Sequence, residues 1–305
     1  MSTGGRELVL EAADYEAVVT EVGGGLRQLR YAGHDLVRSY PVDAVRPRYS
    51  GTVLAPWPNR IGDGAYDFGG EHHQLPLTEP ERGNALHGLV LWDRFEVVAS
   101  STGSATLRDR LVPRVGYPFQ VEVEVTYELG EGGLVTTVRG RNTGTRPAPW
   151  GTAAHPYLRA GTDMVDGCEL VVPAAEVLEV TPDRLLPVGV APAADQGLDF
   201  RVARRIGDTF VDHAFTGLEP DADGLVRVRL TSGVATTVCS WDPTVLPWVQ
   251  VHTADTPDDV AAGTHRTGLA VEPMTCAPDA FRTGQDLVVL PPGGEHRASW
   301  TLSAG

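Results

Sequence analysis

A histidine and a glutamate in this chain each stand directly before a proline. His155 ends the run Gly151-Thr-Ala-Ala, and Glu272 ends the run Leu269-Ala-Val. The residue before a proline is pushed out of the helical region into extended backbone. Both side chains therefore project from stiff, strand-like segments. Free histidine titrates near ~6.5 and free glutamate near ~4.3. At neutral pH one can donate a proton while the other accepts one, which is the equipment of general acid/base chemistry. Each has a purely structural alternative. His155 could bond a backbone carbonyl in the core, and Glu272 could cap the turn at Thr275-Cys276-Ala277.

Further polar side chains suit a polyol. Ala55-Pro-Trp-Pro-Asn59-Arg60-Ile61 offers an amide, a guanidinium and the Trp57 indole, which together supply donors, acceptors and an apolar ring face. The alternative is a turn amide and a surface ion pair. Gly83-Asn-Ala-Leu-His87-Gly88 offers His87, either as a donor to a substrate oxygen or as a satisfied core residue. His72 and His73 are adjacent, face opposite ways in a strand and read as surface. In Phe210-Val-Asp212-His213-Ala-Phe215, Asp212 and His213 take opposite faces. Trp248, Gln250 and His252 share one face of another alternating run, as a stacking and hydrogen-bonding strip or as an exposed polar face. His72, His87, His155 and His252 lack chelating spacing on any one strand.

These residues need a scaffold, and the dominant period in the sequence is two. Residues 119–127 alternate as a half-buried strand, and across the Gly130-Glu-Gly-Gly133 turn residues 134–141 complete an antiparallel hairpin. Residues 225–230 and 234–239 form a second hairpin, and 296–302 a last strand. Residues 12–35 are strand-like around the break at Gly23-Gly-Gly25. With 35 Gly and 23 Pro there is little room for long helices, and 255–262 is the one short helical candidate. Residues 56–91 read as a long polar loop, and a loop of that length in a compact domain is usually functional. No linker and no repeat divides the chain. The expectation is one all-β domain over 1–305, a large antiparallel β-sandwich with few short helices.

Composition removes whole classes of function. All 25 basic residues are arginine, so Schiff-base lysine chemistry and a phosphate-binding P-loop are excluded. A net charge of −15 argues against nucleic acid as a partner. No apolar run of membrane-spanning length occurs, and the first residues show no secretory apolar core. Cys168, Cys239 and Cys276 are odd in number and widely spaced, which suits a reducing cytoplasm. Nucleophile elbow, dinucleotide turn and zinc-helix motifs are absent.

Taken together, the segments Asn59-Arg60-Ile61, Leu86-His87-Gly88, Gly116-Tyr117-Pro118-Phe119, His155-Pro156-Tyr157-Leu158, Asp212-His213-Ala-Phe215, Gln250-Val-His-Thr253 and Glu272 to Phe281 resemble the aldose 1-epimerase (galactose mutarotase) family, in family order. The resemblance implies a galactose-mutarotase-type sandwich that uses neither metal nor organic cofactor. It implies Glu272 as base, His155 as acid, and substrate contacts from Asn59, Arg60, His87, Asp212 and Gln250. The partner it implies is a small-molecule sugar, bound by a monomer or homodimer. Many members carry Asn before the catalytic histidine and Ser or Thr after it, whereas Ala154 and Pro156 flank His155 here. That departure bears on sugar preference and resembles a bacterial subgroup associated in part with unusual sugars, a sulfonated glucose among them. Arg60, Arg82 or Arg159 would then face an anionic C6 group. The expected pH profile is a bell, its acid limb set by Glu272 and its alkaline limb by His155. Competing expectations are a non-catalytic carbohydrate-binding protein, a hexose-6-phosphate 1-epimerase and a cupin-like metalloprotein.

Overall fold

A computed structural model describes residues 3–305. The alternating runs do form strands. Val121–Gly130 and Gly133–Asn142 pair as an antiparallel hairpin in continuous register, with Val123, Val125 and Val138 turned to the core. The hairpin lies within a nine-stranded sheet. There the strand Glu295–Ala304 is hydrogen-bonded between Gly133–Asn142 and Thr236–Trp241, and Val226–Thr231 follows. The anticipated second hairpin and last strand are therefore both present, in one sheet.

A six-stranded sheet carries Asp212, Gln250, His252 and Glu272. Its order is Tyr157–Leu158, Leu269–Met274, Trp248–His252, Asp212–Leu218, Ala174–Val180, Pro187–Pro192. Period two sorts its side chains. Phe215, Val249, Val251, Leu269 and Val271 belong to the same buried cluster as the valines of the nine-stranded sheet. The intervening residues Asp212, Gln250, His252 and Glu272 take the other face. Register sets their neighbours, with Gln250 opposite Glu272 and Asp212 opposite His252. The N-terminal strands Glu7–Ala12, Tyr15–Thr20, Gly25–Tyr31 and His34–Asp35 form a separate four-stranded sheet around the glycine break.

Three expectations need correction. The segment 56–91 is not a loop but a chain of short strands, with Arg60–Gly62 paired to Asn84–Leu86 and Ala65–Phe68 to Glu71–Gln74. His72 and His73 do face opposite ways, but only His72 is exposed. The His73 ring is buried beside Tyr66 and Phe119, at 4.9 and 5.6 Å between centroids. Trp248–His252 has no exposed face, because both its faces are covered. The helical candidate appears as Pro257–Ala261, and a second short helix, Ala280–Thr283, has no period long enough to be seen in sequence. The three cysteines are free and buried. Among the described residues no helix is long and apolar enough to cross a membrane.

Candidate active site

Above the polar face of the six-stranded sheet lies a cavity of about 300 Å³. All seven residues singled out in the sequence line it: Glu272, His155, Asn59, Arg60, His87, Asp212 and Gln250. They come from six separate parts of the chain, and the backbone explains why they converge.

His155 follows the strand Ala153–Ala154, which pairs with Val53–Leu54. Its amide donates to Thr52 O at 3.1 Å, and its carbonyl accepts from Gly51 N at 2.8 Å. The extended backbone that Pro156 requires is thus bonded on both sides. Glu272 sits mid-strand in the neighbouring sheet. The imidazole Nε2 and Glu272 Oε1 stand 3.3 Å apart, with the two residues 5% and 1% exposed. The carboxylate caps no turn. Its Oε2 has no partner among the described residues, and neither has His155 Nδ1.

Asn59 and His87 flank the same end of one small antiparallel ladder, Arg60–Gly62 with Asn84–Leu86, and His87 N donates to Asn59 O at 2.8 Å. Both are left-handed, with φ of 54° and 63°. Arg48 and Tyr49, also on the cavity wall, have φ of 46° and 58°. Left-handed backbone in non-glycine residues costs free energy and concentrates at functional sites. With Leu185, at φ 55°, five such residues line one cavity, which marks it as a candidate site.

The polar side chains form a chain of hydrogen bonds. Asn59 Nδ2 donates to Gln250 Oε1 at 3.3 Å, and Gln250 Nε2 donates to Asp212 Oδ1 at 2.7 Å. Arg60 grips Glu79 with Nε and Nη2 at 2.9 and 3.0 Å, and Asn84 Nδ2 donates to the same carboxylate at 2.8 Å. Such a network fixes donors and acceptors before a ligand arrives.

Electrostatics divide the three cavity histidines. Burial, with the positive charge of His252 and Arg38 nearby, lowers the proton affinity of His155 to a pKa of about 3. Burial, helped by His155 and Arg60, holds His87 well below its ordinary value. His252 is the exception. Burial opposes its charge, but Asp212 and the hydrogen-bonded Asp259 prevail and raise it. Glu272 is pushed well up by burial and by Asp212, with Arg60 acting against them. Burial therefore favours the uncharged form of both His155 and Glu272. The expectation of an ionised glutamate beside an imidazolium runs against this burial, because that arrangement separates charge away from bulk water. The pair is best treated as one unit that carries one transferable proton.

Other sequence readings are sorted by position. Trp57 is buried in the core against Phe281 at 5.6 Å and offers the cavity nothing. Trp248 is likewise buried, and its Nε1 donates to Asp286 at 2.7 Å. Of the three arginines considered for an anionic group, Arg60 and Arg82 line the cavity. Arg159 instead bonds Thr162 O at 2.8 Å, away from it. His72 pairs with exposed Asp67, apart from the other three histidines. The sequence reading missed Arg48, Tyr49, Tyr157 and Glu79. Arg48 and Tyr49 carry no glycine or asparagine signal for their left-handed backbone. Tyr157 was visible two residues after His155, within the same extended segment.

The model of the aldose 1-epimerase family matches residues 6–303. An uncharacterized Escherichia coli protein, YihR, is 35% identical over 306 residues, 99% of this chain and 94% of its own. Mouse galactose mutarotase is 30% identical over 182 residues, covering 56% of this chain and 51% of its own length. Among solved structures, a putative aldose 1-epimerase from E. coli K12 superposes with a TM-score of 0.82 at 21% identity, covering 98% of this chain and 99% of that one. An aldose epimerase homologue from C. elegans reaches 0.84 at 18% identity, covering 98% of each chain. Those two likenesses concern the fold, a galactose-mutarotase-like sandwich. With a match across nearly its whole length, this chain belongs to the aldose 1-epimerase family.

Proposed function

We propose that the protein interconverts the α and β anomers of an aldohexopyranose by general acid/base ring opening. The observation that carries this reading is the His155–Glu272 pair, 3.3 Å apart on the wall of a cavity otherwise lined with polyol-binding groups. O1 and O5 of a pyranose are bonded to the same carbon. A base for the O1 proton and an acid for O5 must therefore stand side by side, not on opposite sides of the sugar. The two side chains do stand side by side.

In the productive form the Glu272 carboxylate takes the proton from O1–H, and His155 Nε2–H⁺ gives a proton to O5. The C1–O5 bond breaks and the aldehyde forms. Rotation about C1–C2 and the reverse transfers close the ring on its other face. Ring opening converts imidazolium and carboxylate into imidazole and carboxylic acid. That is the uncharged pair favoured by burial, so the cavity stabilises the open-chain stage. Each proton-transfer group contributes about 10²–10⁴-fold. Asn59, Arg60, His87, Asp212 and Gln250 hold the hydroxyls, and the ring of Tyr49 offers an apolar face.

A neutral sugar fits the charge of the site. Arg60 and Arg82 both face Glu79, and Arg48 faces Asp258 at 3.1 Å, so these three arginines are already paired. Polarimetry on fresh α-glucose, α-galactose, glucose 6-phosphate and sulfoquinovose tests the reading. We expect accelerated mutarotation of a neutral hexose, and Glu272→Gln should lose several orders of magnitude of turnover while still binding sugar. Acceleration confined to glucose 6-phosphate or sulfoquinovose would reassign the substrate to an anionic sugar. Binding without any acceleration would make the protein a carbohydrate-binding module.

A further inference from the structure

A histidine that moves protons in a buried site usually owes its orientation to a hydrogen bond at the ring nitrogen turned away from the substrate. His155 has none, since its Nδ1 is buried without a partner among the described residues. Ring neighbours remain to set its plane, and of these His87 meets it edge-on, with centroids 5.3 Å apart. The Tyr157 ring lies against the His155 ring, with centroids 5.0 Å apart and planes 29° from parallel. Tyr157 is itself 2% exposed, and the Arg38 guanidinium carbon sits 3.6 Å from the centre of its ring. Arg38 in turn is anchored, its Nη2 donating to Ser50 Oγ at 2.9 Å and its Nη1 to Thr264 O at 3.4 Å. The two rings come from residues two apart, on the extended backbone that Pro156 enforces.

We infer that Tyr157, clamped by Arg38, is the positioning residue for His155: its ring face replaces the missing hydrogen bond and keeps Nε2 aimed at Glu272 and the sugar oxygen. This rests on the proposed role of His155. Its physical basis is contact between ring faces, which fixes a plane without offering an acceptor to Nδ1. An imidazolium is a donor at both nitrogens, and a buried Nδ1–H with no acceptor is costly. Stacking therefore orients the ring while leaving it neutral. A hydrogen-bonding carboxylate in the same place would charge it. Burial and the nearby Arg38 charge act in the same direction.

The test separates shape from hydroxyl chemistry. Tyr157→Phe keeps the ring face, and kcat should stay within about 3-fold of wild type. Tyr157→Leu removes the face, and a misplaced acid can cost on the order of 10²-fold, so kcat should fall by that factor with KM changed far less. Nitrogen NMR of ¹⁵N-histidine-labelled, sugar-free protein gives a readout independent of turnover. Wild type and Tyr157→Phe should show His155 as one neutral tautomer from pH 5 to 8. Tyr157→Leu should show a mixture of tautomers or a titration in that range. Should Tyr157→Phe lose as much kcat as Tyr157→Leu, or Tyr157→Leu keep the wild-type rate and spectrum, the inference is overturned. If the wild-type protein does not mutarotate any sugar, the proposed function fails, while the NMR comparison still decides whether Tyr157 orients the ring.

Discussion

In the proposed mechanism Glu272 and His155 form a proton-holding unit, and its pH behaviour follows from burial. Two macroscopic steps belong to the pair. At the lower step a second proton enters, and it must charge His155, whose affinity is depressed to about 3. At the upper step the pair loses its only proton, and Glu272, raised by burial, resists that loss. The limbs are therefore the reverse of the assignment made from free side-chain values: His155 sets the acid limb and Glu272 the alkaline one. We expect kcat/KM in sugar-free enzyme to hold its plateau well below pH 6.5 and to fall only in strong acid. A half-loss of kcat/KM near pH 6.5 on the acid side would contradict the burial argument. Gln250 stands between Asn59 and Asp212 in the hydrogen-bond chain. Gln250→Ala should raise KM by about 10-fold, the worth of one or two neutral hydrogen bonds, with a smaller change in kcat. An unchanged KM in initial-rate polarimetry would place Gln250 outside the binding set. At this scale the sequence was informative where a local steric rule applied. The prolines announced the extended backbone of His155 and Glu272. Trp57 misled because its burial depends on Phe281, far along the chain, and no local pattern encodes that contact.

At the scale of elements, short pieces of chain do the positioning. The ladder of Arg60–Gly62 with Asn84–Leu86 delivers Asn59 and His87 side by side at one end, where Arg60 pairs with Leu86. Gly88 allows this ladder to approach the strand before it. Its φ is +82°, and a Cβ there would lie 2.1 Å from Ala55 O. Gly88→Ala should destabilise the fold by about 2–4 kcal/mol, from left-handed strain plus the clash, and should displace His87. The urea midpoint and the KM would both report it, and a variant matching wild type in both would refute the close-approach argument. The Pro56 to Leu91 region shows why elements are harder to read than residues. Its strands are only three or four residues long, too short for a period to emerge, and their pairing is dictated by the partner strand. The long alternating strands, such as Val121–Gly130, needed no such help.

For the molecule as a whole, the nine-stranded sheet is closed by the end of the chain. Glu295–Ala304 pairs with Gly133–Asn142 on one side and Thr236–Trp241 on the other, and buried Trp300 lies opposite both Thr136 and Trp241. Trp300→Ala should cost about 3–5 kcal/mol, read as a lower urea midpoint. A loss under 1 kcal/mol would mean that this strand is not central to the core. The sandwich was legible because period two and the turn residues recur along the chain. The convergence of residues near 59, 87, 155, 212, 250 and 272 on one cavity was not legible from spacing, because strand order follows long-range pairing. Only the resemblance of those segments to a family tied them together beforehand. Once the sheet is formed, register alone brings Gln250 opposite Glu272 and Asp212 opposite His252. The claim on which the rest turns is that the buried Glu272–His155 pair unlatches a hemiacetal. Exchange NMR on an equilibrated 1-¹³C aldohexose tests it most directly, by following transfer between the α and β C1 signals. We predict rapid transfer with wild-type protein and only the spontaneous rate with Glu272→Gln; transfer at the wild-type rate with Glu272→Gln would contradict the account.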